Sequence, residues 1–183
     1  MKKTLLTVLI AIAALTATAA HAEGGPVTLV LAGGAENNFI RISLSSDGRD
    51  YVIQSRVQLE TGGDLCTHPE GRSNELLCEA PAIAGFEVNV EGGNDTVVLA
   101  SDIPIPATLR GGPGDDKLIG GGVADKIIGG SGSDFLSGRR GDDLLLGGPG
   151  ADRLFGGPGN DQLKGGPGTD VLNGGPGQNH LVQ

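Results

Sequence analysis

Gly156-Gly157-Pro158-Gly159-Asn160-Asp161-Gln162-Leu163-Lys164 is the clearest copy of a nine-residue unit that decides how this chain folds. Carried outward without insertion, the same register divides residues 111 to 182 into eight units, beginning at Gly111, Gly120, Gly129, Gly138, Gly147, Gly156, Gly165 and Gly174. The sixth place holds Asp116, Asp125, Asp134, Asp143, Asp152, Asp161 and Asp170, then Asn179. The eighth holds Leu118, Ile127, Leu136, Leu145, Leu154, Leu163, Leu172 and Leu181. Acids and aliphatics kept in phase over so many copies mark a solenoid-type repeat, not an elastic low-complexity linker.

Each place has a mechanical meaning. Glycine dominates places one, two and four, which allows positive φ and close backbone approach, so the first six residues form a tight turn. Proline at the third place (Pro113, Pro149, Pro158, Pro167, Pro176) fixes φ inside that turn. The last three residues are the extended piece, one short strand per unit with its aliphatic side chain pointing inward. The fold class expected is all-β, a stack of turns.

If two units complete one coil, each unit lies above the one eighteen residues earlier, and the sixth-place aspartates form two columns with neighbours about 4.8 Å apart. Unit charges about 5 Å apart repel by about 1 kcal/mol in water and about 3 kcal/mol at an effective dielectric near 20. A divalent cation between successive aspartates reverses the sign. Carboxylate and carbonyl oxygens suit calcium better than zinc or copper. Eight buried aliphatics are a small return for ordering 72 glycine-rich residues, so the tract is expected to be largely disordered without metal and to fold cooperatively with it.

The unit Gly-Gly-x-Gly-x-Asp-x-aliphatic-x resembles the hemolysin-type calcium-binding repeat, or RTX repeat, of secreted bacterial proteins, over 72 of the 183 residues. The resemblance implies a right-handed parallel β-roll with calcium held between successive turns of one edge by aspartates and turn carbonyls. Carried onto this sequence, it pairs Asp116 with Asp134, Asp125 with Asp143, Asp134 with Asp152, Asp143 with Asp161, and Asp152 with Asp170, giving about five interior Ca2+ ions. Val123 replaces a turn glycine, and Arg139 and Arg140 stand at places two and three, which weakens or empties the Asp125 and Asp143 site. The same two arginines also read as surface charges balancing an acidic edge. Asn179 lacks a charge and suits a closing coil.

Upstream, Val27–Leu31, Phe39–Leu44, Tyr51–Val57 and Phe86–Val90 read as short strands. Glu91-Gly92-Gly93-Asn94-Asp95-Thr96-Val97 looks like a degenerate repeat, which makes Asp95 a further candidate ligand. Residues 23–98 are therefore either degenerate coils or a separate β cap over the open end of the roll. Residues 99–110, with Pro104 and Pro106, form an irregular connecting coil before the regular tract at 111–183.

Residues 1–22 read as an export signal: the basic start Met1-Lys2-Lys3, an apolar run from Leu5 to Ala20, and the small-x-small pattern Ala20-His21-Ala22. A retained membrane anchor is the competing reading, but the run is short for a bilayer span. Removal would leave 11 basic and 22 acidic residues, a net charge of -11. Export to an oxidising compartment makes Cys66 and Cys78 a disulfide, because their spacing is not that of a Cys-x-x-Cys metal or redox motif. A lone loop histidine, His68, adds no ligand set.

The overall charge of -9, with 34 glycines and 3% aromatics, argues against nucleic-acid binding and against an aromatic-centred core. No His-Glu-x-x-His, Gly-x-Ser-x-Gly or phosphate-loop pattern occurs, so no enzyme is expected. Two noncatalytic readings remain. The first is a secreted or periplasmic calcium-binding protein whose repeats fold on the ion. The second is an adhesin-like or glycan-binding surface protein that uses the same roll as scaffold.

Overall fold

The computed structural model describes residues 15–20, 27–56, 59–61 and 66–183. In chain order the strands are β1 (Leu15–Ala20), β2 (Val27–Ala32), β3 (Phe39–Leu44), β4 (Asp50–Ser55), β5 (Leu59–Thr61), β6 (Cys66–Thr67), β7 (Glu75–Glu79), β8 (Ile83–Asn89) and β9 (Thr96–Leu99). There follow β10 (Ala107–Pro113), β11 (Lys117–Ile119), β12 (Lys126–Ser131), β13 (Phe135–Ser137), β14 (Leu144–Leu146), β15 (Arg153–Phe155), β16 (Gln162–Lys164), β17 (Val171–Asn173) and β18 (His180–Val182). A single turn of 3-10 helix, Ala80–Ala82, is the one helical element among the described residues. The chain is all-β, as its sequence pattern required.

Two nine-stranded sheets face each other, ordered β18-β16-β14-β12-β10-β8-β2-β1-β5 and β17-β15-β13-β11-β9-β3-β4-β7-β6. Successive strands of the repeat tract alternate between the sheets, so two nine-residue units make one coil. The ladders keep an eighteen-residue parallel register, Leu118 to Leu136 to Leu154 to Leu172 in one sheet and Ile127 to Leu145 to Leu163 to Leu181 in the other. Eighth-place side chains from Leu118 through Leu163 are buried between the sheets, while places seven and nine face outward. A strand of three residues is enough because a single inward side chain per strand fills so thin a core.

The roll starts well before the regular repeats. In one sheet Leu31 pairs with Val88 and Val88 with Leu109; in the other Ile40 pairs with Val97 and Val97 with Leu118. Thus β2 and β3 form a first coil, and β8 and β9 the next. Between them an insertion folds back: β4 pairs antiparallel with β3, β7 with β4, and β6 with β7. This hairpin array extends one sheet past the first coil, with Tyr51, Ile53, Leu76 and Cys78 buried. Cys66 and Cys78 are cross-strand partners joined by a disulfide. The antiparallel array is thus an insertion in the chain between the strands of the first two coils.

The stretch 99–110 is partly irregular. Ile103 is buried, but Ala107–Arg110 belong to β10 and carry the ladder from β8 to β12. The strand expected over Tyr51–Val57 is β4 at Asp50–Ser55, and Val57 lies outside the described residues. Of the segment read as an export signal, only 15–20 is described, as β1, which pairs antiparallel with β2 and parallel with β5. No helix among the described residues is long and apolar enough to cross a membrane.

Candidate metal sites

The turns between strands stack by a fixed set of main-chain bonds. Place-one amides donate to the place-nine carbonyl of the next coil, as Gly147 to Lys164 at 2.9 Å. Place-two amides donate to the place-one carbonyl, as Gly130 to Gly147 at 2.9 Å, and place-four amides to the place-three carbonyl, as Gly132 to Pro149 at 2.9 Å. Coils held this closely leave no room for Cβ. A methyl group on Gly130 or Gly132, both at positive φ, would stand 1.9 or 2.0 Å from the carbonyl oxygen of Gly112 or Gly114 in the coil before. Glycine at these places is therefore a packing requirement as much as a dihedral one.

The sixth-place aspartates stand in two columns. Asp95, Asp116, Asp134, Asp152 and Asp170 precede the strands of one sheet; Asp125, Asp143, Asp161 and Asn179 precede those of the other. Within a column each main-chain amide donates to Oδ1 of the next residue. Asp95 to Asp116, Asp116 to Asp134, Asp134 to Asp152 and Asp152 to Asp170 measure 2.8, 2.8, 2.9 and 2.9 Å. On the other edge Asp125 to Asp143, Asp143 to Asp161 and Asp161 to Asn179 measure 2.7, 2.9 and 2.8 Å. The one-coil pairs expected from the sequence are thus the pairs the fold brings together.

The second carboxylate oxygen is the informative one. Oδ2 of Asp95, Asp116, Asp134, Asp143, Asp152, Asp161 and Asp170 is buried with no hydrogen-bond partner. Each repeat-tract Oδ2 lies over the bare Cα of its own place-one glycine: a Cβ on Gly129 would fall 2.2 Å from Asp134 Oδ2, and one on Gly138 2.1 Å from Asp143 Oδ2. Burial pushes the carboxyls of Asp116 and Asp125 up to about 6 and those of Asp134 and Asp143 up to about 7. Neighbouring carboxylates add to the rise at Asp116, Asp134 and Asp143. Burial also raises Asp95, Asp152 and Asp161. An orphaned, buried carboxylate oxygen is expensive, and a row of them calls for cations.

The donor set fits a hard cation. Among the described residues no three of His, Cys, Asp and Glu converge on one point. A site between coils therefore has two carboxylates and must complete its shell with turn carbonyls and water, as calcium accepts and zinc does not. The orphaned Oδ2 atoms and the glycine cradle are consistent with that ion.

Three features were not read from the sequence. Asn38 heads the first column: its amide donates to Asp95 Oδ1, and its side-chain Nδ2 donates to the Val90 carbonyl at 3.2 Å. Gly33–Arg41 is thereby the earliest, degenerate unit, with Phe39-Ile40-Arg41 as its strand piece. A parallel ladder runs through place five, where the amides of Asn94, Asp115 and Ser133 donate to the side chains of Asn37, Asn94 and Asp115. Finally, Ala107 stands at the sixth place of the coil before Asp125, and its amide donates to Asp125 Oδ1 at 2.7 Å. The column on that edge has no carboxylate above Asp125.

The family comparison falls on the same tract. The family model of the RTX calcium-binding nonapeptide repeat (4 copies) matches residues 110–145, 119–154 and 146–181. No curated protein and no solved structure matches the chain.

Proposed function

We propose that this chain, whose residues 110–181 are RTX calcium-binding nonapeptide repeats, is an exported, non-enzymatic protein whose roll folds as it binds calcium. The observation that carries the reading is the row of buried, partnerless Oδ2 atoms aligned coil over coil. Asp95, Asp116, Asp134, Asp152 and Asp170 supply ligands along one edge, and Asp143 and Asp161 along the other. Between them lie about five gaps, each flanked by two carboxylates and by turn carbonyls. Asp125 differs from these residues and is treated below.

Calcium would supply the positive charge that lets the carboxylates be buried ionised. This chain's part is to set the oxygens in place: Oδ1 is fixed by the amide of the preceding coil, and Oδ2 is left open over glycine. Millimolar external calcium then makes folding coincide with arrival outside the cell, through a signal at residues 1–22. Calorimetric titration of calcium into the chelator-stripped full chain tests the reading. About five ions per chain, with heat and β circular dichroism saturating together, support it; no binding at millimolar calcium rejects it.

The adhesin-like or glycan-binding alternative has one observation in its favour. Phe135 and Phe155 pair on an outward sheet face with ring centroids 5.3 Å apart, and Lys117 lies 5.9 Å over Phe135. Aromatic faces flanked by a cation are suited to sugar rings. Glycan-array binding abolished by Phe155→Ala, with calcium uptake unchanged, would establish that reading.

A further inference from the structure

We propose that Arg139 is a resident cation beside Asp125, so that the gap between Asp125 and Asp143 holds no calcium and the ions on its edge begin between Asp143 and Asp161. The inference deepens the calcium reading above and rests on it.

Asp125 is the one sixth-place carboxylate of the repeat tract with both oxygens engaged: Oδ1 accepts from the Ala107 amide at 2.7 Å, and Oδ2 from the Gly121 amide at 2.6 Å. In the regular turns that place-two amide goes elsewhere, to the place-one carbonyl of the next coil. The turn at 120–125 differs because Val123 occupies the place-four position, and neither Gly121 nor Val123 takes the positive φ found at the equivalent Gly130 and Gly132. Its amide is thereby turned in to the carboxylate that elsewhere stays open.

Arg139 completes the change. It holds place two of the next turn on this edge at φ 75°, a conformation otherwise taken there by glycine, except at Glu91. Its Nη1 donates to the main-chain oxygens of Leu99 and Gly120, the latter at 3.0 Å. Those carbonyls occupy equivalent points of successive coils, since Val97 pairs with Leu118. The side chain is half-buried, and its charge acts on Asp125. The guanidinium thus takes up turn carbonyls beside a carboxylate, the chemistry that a bound cation would otherwise provide. A surface arginine that only balanced charge would be free in solvent and would not adopt left-handed backbone.

The test counts ions per chain on the chelator-stripped full-length protein, with far-UV circular dichroism in saturating calcium confirming that each variant folds. Asp125→Asn is expected to bind as many ions as wild type, whereas Asp143→Asn binds one fewer. Arg139→Gly is expected to bind one more, and Asp125→Asn in that background to lose it again. Loss of an ion in Asp125→Asn alone, or an unchanged count in Arg139→Gly, overturns the proposal. A wild-type chain that binds no calcium overturns the parent reading as well, which separates the two failures.

Discussion

The amide of Asp116 donates to Oδ1 of Asp134 across one coil at 2.8 Å, while Oδ2 of the same Asp134 has no partner. One oxygen of the carboxylate therefore belongs to the stacking of the roll and the other remains for a ligand. This division makes an otherwise costly burial useful, and it repeats along both edges.

Asp134→Asn keeps an acceptor for the Asp116 amide but removes the charge. In the absence of metal the variant is expected to be more stable than wild type, because a neutral side chain replaces a carboxyl that burial has pushed up to about 7. In saturating calcium the order inverts, since the gaps on both sides of Asp134 lose a charged ligand. Melting temperatures with chelator and with calcium check the crossing; a variant weaker in both conditions contradicts it.

Protons and calcium compete for the same oxygens. The carboxyls of Asp134 and Asp143 lie at about 7 in the roll against an ordinary 3.8, so the folded chain holds protons more tightly than the unfolded one. The metal-free roll is then most stable below about pH 4, loses stability as pH rises toward 7, and carries the full penalty above it. The slope is at most about 1.4 kcal/mol per pH unit for each such group. Chelated protein should show more β signal at pH 5 than at pH 8, and calcium affinity should rise over the same interval. A flat pH response with chelator would contradict the burial of these charges.

Gly129→Ala places a Cβ 2.2 Å from Asp134 Oδ2 and 2.9 Å from the Gly147 carbonyl oxygen. Overpacking at a backbone contact costs about 1–3 kcal/mol, and displacement of Oδ2 should weaken calcium at the adjoining gaps at least about tenfold. Gly34→Ala meets nothing within 4 Å and should leave both quantities unchanged. Parallel calcium titrations and urea melts of the two variants make the comparison.

The disulfide acts at the far end of the molecule. Cys66 and Cys78 join β6 to β7, in the array that extends the sheet beyond the coils. Replacing both with serine should lower stability by about 2–3 kcal/mol through the unfolded chain and leave the number of bound ions unchanged. A reduced ion count would show that the cap and the calcium columns are coupled.

Much of this organisation was legible in the repeat. The eighteen-residue register, the inward aliphatic and the two aspartate columns all follow from a nine-residue period kept without insertion. The first coil was hidden because Gly33–Arg41 has Glu36 where the turn wants glycine and Asn38 where it wants aspartate. An insertion also sets Ile40 57 positions from its ladder partner Val97. The local strand pattern survived there while the turn signature did not. Val123 and Arg139 were visible as departures, but their effect depends on where the Gly121 amide and the guanidinium point, which periodicity does not encode.

The central claim is that divalent ions hold these coils together. Hydrogen exchange over residues 111–182, measured at neutral pH after chelation and again with millimolar calcium, tests it most directly. Rapid exchange of the turn and strand amides with chelator, followed by protection across the whole tract as calcium is added, is the result expected. Amides already protected in the demetallated chain and unaffected by calcium would contradict the account.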